Sequence, residues 1–106
     1  MFSRNFKFEG DAVMENITID GKNFTGYRIP TPNGNIILIT AQHGLLGCGY
    51  FKIETANKLN DSLAVVSGVK TFDDMLNAKI IAVSTAAEKS GITAGMSGRE
   101  ALLLMA

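Results

Sequence analysis

The spacing of apolar residues changes near the middle of the chain, and that change constrains the fold more than any single motif. As far as Phe51, apolar and polar residues alternate or gather in short runs separated by turn dipeptides; from Ile53 onward the apolar residues recur three or four apart, between short strand-like runs. Ile17 and Ile19 alternate with Asn16 and Thr18, Asp20-Gly21 supplies a two-residue hairpin turn, and residues 23–29 return alongside. Pro30-Thr31-Pro32-Asn33-Gly34 then breaks the pattern. Residues 35–41 are apolar without alternation, which predicts a central strand covered on both faces. After Gln42-His43-Gly44, residues 45–51 read as a fourth strand, so the first half is predicted to be an antiparallel meander.

In the second half, Ile53, Ala56 and Leu59 predict a short helix ending near Asn60-Asp61, and residues 63–66 predict a strand. Thr71-Phe72-Asp73-Asp74 is a capping pattern, and Phe72, Met75 and Leu76 give the helix it opens one apolar stripe. Residues 79–85 read as a further strand, and residues 86–90 as one helical turn closed by Gly91 in a left-handed conformation. Ser97 then caps a last helix, with Glu100 as its reciprocal partner. Strands first, then alternating helices and strands, predict an α+β fold: a mixed sheet with helices mainly on one face. Residues 1–14 read as a leading arm or as an extension foreign to the native protein, with a hint of a short strand at residues 6–8, and residues 15–106 as one domain.

A chain of 106 residues supports one modest core, to which burial against a partner would add. The terminal helix from Ala101 to Met105 is apolar nearly all round, which favours a homo-oligomer. Ten basic residues balance ten acidic ones, removing the broad positive field that nucleic acid or an anionic membrane surface would require. No apolar run approaches the roughly 20 residues of a membrane span. A single cysteine precludes an internal disulfide, which makes a reducing cytoplasm the expected compartment.

Candidate chemistry rests on few residues. Cys48 is the only thiol; in strand register it shares a face with Leu46 and Tyr50, as a small buried hydrophobe would, and a nucleophilic role needs a base or cation beside it. His43, the only histidine, is the available base, but five residues of extended chain hold the pair about 16 Å apart, so a dyad requires a subunit interface or a broken strand. One His and one Cys without an acidic cluster leave too few donors for a metal site, and no cofactor is predicted. The Gly-x-x-Gly-x-Gly spacing from Gly44 to Gly49 leads into a strand rather than a helix, so it does not match a dinucleotide fingerprint. Gly47 and Gly49 leave a bare strip against which a helix, another chain or a ligand can press. Gly95, Ser97, Gly98 and Arg99 form the best candidate ligand site: backbone N–H groups at a helix start, glycines that permit close approach, and a guanidinium suit a small anion or metabolite. Capping alone explains the same residues. Ser84 and Thr85 stand where a predicted strand ends and could line such a site.

Three segments resemble the YunC-like family, small bacterial and archaeal proteins carrying a domain of unknown function. They are Gly44-Leu-Leu-Gly-Cys48-Gly49-Tyr50, Ser67-Gly-Val-Lys-Thr-Phe-Asp-Asp-Met-Leu76, and the run from Gly91 to Leu102 with its Gly-Met-Ser-Gly-Arg-Glu-Ala-Leu signature. The resemblance implies an α+β domain whose N-terminal strands mediate assembly, as a tetramer, and it implies no known activity. Two function classes follow: a homo-oligomer with a structural or small-anion or metabolite-binding role, and an enzyme acting on a small anionic or carbonyl substrate with Cys48 as nucleophile.

Overall fold

Asp20 (φ 51°) and Gly21 (φ 79°) are both left-handed, and they turn β1 (Val13–Ile19) directly into β2 (Lys22–Thr31). Positive φ at both central positions matches the twist of the paired strands, which is why Asp-Gly serves here. The computed structural model describes residues 12–106. Residues 1–11 of the expected arm, with the strand expected at residues 6–8, lie outside the described residues, while Val13 and Met14 belong to β1.

β2 pairs antiparallel with β3 (Gly34–Ala41), and β3 with β4 (Gly44–Gly47), completing the meander. The chain then crosses through α1 (Ile53–Leu59), so that β5 (Leu63–Val65) runs parallel to β4; β6 (Ala82–Val83) closes the sheet antiparallel to β5. The result is one six-stranded mixed sheet in sequential order. On its inner face, α2 (Phe72–Asn77), α3 (Thr85–Lys89) and α4 (Gly98–Leu104) bring Met75, Leu76, Ala87, Ala101 and Leu102 against Ile37, Ile39 and Leu46. α1 covers the outer face over β4 and β5 alone, where Ala56 packs with Leu63 and Val65. This is the α+β fold expected, with helices mainly on one side.

The helix ends follow local chemistry. Thr71 and Asp74 form a capping box before α2, Ser97 and Glu100 another before α4, and Asn60 (φ 62°) closes α1 in the left-handed region. Gly91 (φ 92°) follows α3, as expected. Fully buried Ser84 caps α3 by accepting from the Ala87 N–H (3.3 Å); its Oγ also accepts from the Leu63 N–H (2.9 Å) and donates to the Asp61 carbonyl (2.7 Å).

Three expectations are corrected. The fourth strand stops at Gly47 rather than continuing to Phe51, because the Phe51 N–H donates to the Cys48 carbonyl (3.1 Å) and folds the Phe51 ring back over Gly47. The strand expected over residues 79–85 shrinks to Ala82 and Val83. Lys79 bridges Ser97 instead, and Ile80 exchanges hydrogen bonds with Met96 and Gly95 (2.8 Å each), so the segment changes partner midway. β3 is central but not covered on both faces: Ile37 and Ile39 are fully buried, whereas Ile36, Leu38 and Thr40 on the other side are half-buried.

Candidate ligand-binding site

Because β4 and β5 are parallel, their carboxyl ends open at the same edge of the molecule, and the antiparallel β3 begins beside them. Three connections therefore meet there: the β2–β3 turn, the turn after β4, and the loop after β5. They border an open cleft of about 760 Å³, lined by Thr31, Asn33, Gly34 and Asn35 from the first, by Cys48, Gly49 and Tyr50 from the second, and by Gly68, Val69 and Lys70 from the third. The crevice beyond the carboxyl ends of parallel strands is where open α/β sheets hold ligands.

Cys48 forms part of the wall but is only 5% exposed; its N–H donates to the Ile37 carbonyl (3.2 Å). The Asn35 amide donates to the Lys70 carbonyl (3.2 Å), tying β3 to the loop after β5. The Lys70 and Thr71 N–H groups both donate to Asp74 Oδ2 (3.0 and 3.1 Å). These bonds, that from Lys70 foremost, hold the Asp74 carboxyl below its ordinary range against the opposing effect of desolvation, with the Thr71 hydroxyl and the Lys70 charge adding to the effect. Gly49, Tyr50, Gly68 and Val69 donate no backbone hydrogen bond among the described residues. The space beside Gly49 and Gly68 is open.

Of the candidate residues singled out in the sequence, Cys48 and Gly49 border this cleft. His43 lies in the β3–β4 turn at the opposite end of β4, its N–H donating to the Met105 carbonyl (2.8 Å). The Gly95–Arg99 turn is also elsewhere, and several of its donors serve the chain itself: Gly95 N–H bonds Ile80 O (2.8 Å), Ser97 N–H bonds Glu100 Oε1 (2.9 Å), Gly98 N–H bonds Ala78 O (2.9 Å) and Glu100 N–H bonds Ser97 Oγ (3.1 Å). Arg99 is exposed. Ser84 is occupied by the three bonds described above, and the Thr85 N–H donates to the Asn57 side chain (2.8 Å). Sequence reasoning missed Thr31, Asn33, Asn35 and Lys70. The available signal was the α1 crossover: a helix joining two strands makes them parallel and brings the loops that follow them together.

A second feature lies on the outer face of β1–β3. Met14 stands opposite Tyr27 and Tyr27 opposite Leu38, with Ile29 opposite Ile36 in the next row. Met14 is 67% and Ile29 47% exposed. No outward-facing residue of these three strands is charged; Glu15, Lys22 and Arg28 all take the inward register. Toward the β1–β2 hairpin the same face carries Asn16, Thr18, Asn23 and Thr25, the polar outward residues usual in a half-solvated antiparallel sheet, so the apolar part is the patch around Tyr27.

Fold and cleft together define a small α+β protein in which one parallel crossover joins a strand meander to a helical half. The chain belongs to the family described as "Domain of unknown function (DUF1805)", whose model matches residues 47–105. It is 38% identical over 93 residues to the uncharacterized protein YunC of Bacillus subtilis (strain 168), covering 84% of this chain and 92% of the relative. The crystal structure of a protein of unknown function, TA1206 from Thermoplasma acidophilum, superposes with a TM-score of 0.88 at 33% identity, covering 96% of this chain and all of that one. Among the described residues no helix is long and apolar enough to cross a membrane.

Proposed function

We propose that the protein is a cytoplasmic homo-oligomer, assembled through its N-terminal strands, in which each copy offers a cleft to a small anion or metabolite. The observation that carries the assembly is the uncharged outer face of β1–β3. A surface without charge can meet its own copy without like-charge repulsion, and burying a large apolar side chain contributes about 1.5–3 kcal/mol. Three strands about 4.8 Å apart and seven residues long make a face roughly 14 by 23 Å. That is less than the ~800 Å² per partner of a standard interface. The groove lined by Leu45, Ala56 and Leu59 extends the same surface, since Leu45 stands opposite Thr40 across β3 and β4.

Sedimentation equilibrium in the micromolar range tests the assembly. The wild type is expected as an oligomer, a tetramer as the family resemblance implies, and Leu38→Lys as a folded monomer; a wild type that stays monomeric overturns the proposal. The second reading, an enzyme with Cys48 as nucleophile, draws on the thiol's place in the cleft wall and needs a partner group other than the His43 of its own chain.

A further inference from the structure

We infer that the cleft at the carboxyl ends of β4 and β5 is a binding site for a small oxyanion, a carboxylate or a phosphate, with Lys70 as its charge partner and the loop amides of Gly49, Gly68 and Val69 as donors. This rests on the ligand-binding half of the function proposed above and moves the site away from the Ser97 turn. Three independent properties of the lining converge on it. Among the described residues Lys70 is the one ionised side chain lining the cleft and no carboxylate lines it, a lining whose charge favours an anion. The remaining lining is rich in donors: the Asn33 amide, the second N–H of Asn35, the hydroxyls of Thr31 and Tyr50, and main-chain N–H groups that make no backbone bond among the described residues. Glycine at 49 and 68 leaves open space beside that backbone, allowing an oxygen to approach the N–H groups closely.

Asp74 feels the Lys70 charge but does not line the cleft. Asp74 Oδ2 accepts from the backbone N–H groups of Lys70 and Thr71, so the carboxylate helps to fix the loop from which the Lys70 side chain extends. Carboxylate and phosphate ligands present the same chemistry to the site: two or three acceptor oxygens and a negative charge matched to one ammonium and several N–H groups.

Titration of the intact protein with inorganic phosphate and, separately, with succinate, followed by amide NMR, tests the assignment. Saturable shifts at Gly49, Gly68 and Val69 are expected with at least one of them, and the tighter ligand identifies the source as phosphate-bearing or carboxylate. Lys70→Gln should weaken binding about tenfold or more, Lys70→Arg should largely restore it, and Lys22→Gln, which removes the same charge elsewhere, should leave it intact. No saturable shift at millimolar ligand overturns the inference, as does binding unchanged in a folded Lys70→Gln protein, or binding lost instead in Arg99→Gln. Sedimentation of the same samples reads the assembly separately, so failure of the site and failure of the oligomer are told apart.

Discussion

The carbonyl oxygen of Met75 fills the space in which a side chain at Gly98 would begin. A Cβ there would also come within 2.9 Å of the Leu46 side chain, so α2, α4 and β4 meet at one glycine. Helix propensity favours Gly98→Ala by up to about 1 kcal/mol. The obstructing atom is backbone, however, and cannot rotate away; separating two packed helices costs about 1–3 kcal/mol or more. Gly98→Ala is therefore expected to lower the urea midpoint, and a rise would show that α4 can slide away from α2 without loss.

Ser84 joins three elements through one hydroxyl, binding Asp61 O, Leu63 N and Ala87 N. Ser84→Ala removes an N-cap and leaves buried backbone groups at the start of β5 without that partner. The combined cost is expected to be about 2–3 kcal/mol. Equilibrium unfolding measures it, and a loss below about 0.5 kcal/mol would mean that water replaces the hydroxyl.

Much of this fold was legible because its local signals agree with one another. Asp20-Gly21 fixed the first hairpin, and Thr71-x-x-Asp74 and Ser97-x-x-Glu100 marked two helix starts, since each pattern satisfies its own backbone groups within four residues. The misread boundaries depend on distant partners. Residues 48–51 carry strand-like sequence but turn to lay Phe51 over Gly47. Lys79 and Ile80 pair with residues 95–97 rather than with β5. The cleft was harder still, because Asn35 and Lys70 are 35 residues apart and touch only once β3 and the loop after β5 are in place. Cys48 drew notice as a rare residue, whereas Lys70 looked like one of many surface charges.

Asp74 makes the start of α2 sensitive to acid. Its carboxyl is held below the ordinary aspartate range, first by the Lys70 N–H, so its contribution is fully present above that range. It is lost as pH falls through the depressed value. Asp74→Asn should lower the melting temperature at neutral pH, with the difference from the wild type shrinking as the pH drops below the usual aspartate range. Thermal unfolding at several pH values checks this; a difference that does not change with pH would mean the charge contributes nothing. The group is exposed, so added salt should also narrow the difference.

Cys48 can be reached only through the wall of the cleft or by opening of the fold. Its residue is 5% exposed, and its backbone is fixed by the bond from its N–H to Ile37 and by the Phe51 N–H donating to its carbonyl (3.1 Å), so the residue stays covered unless the chain around it opens. Alkylation needs the reagent's carbon in line with the sulfur, and a thiol this covered reacts mainly from transiently opened states. Native Cys48 is therefore expected to react with iodoacetamide about tenfold or more slowly than a model thiol, reaching the model rate in denaturant. Succinate or phosphate seated beside Gly49 should slow the native reaction further, by blocking the one approach that requires no unfolding. A native rate above that of the model thiol would reverse the conclusion: burial alone only slows the reaction, so acceleration requires a neighbouring group that activates the sulfur, as the enzyme reading demands.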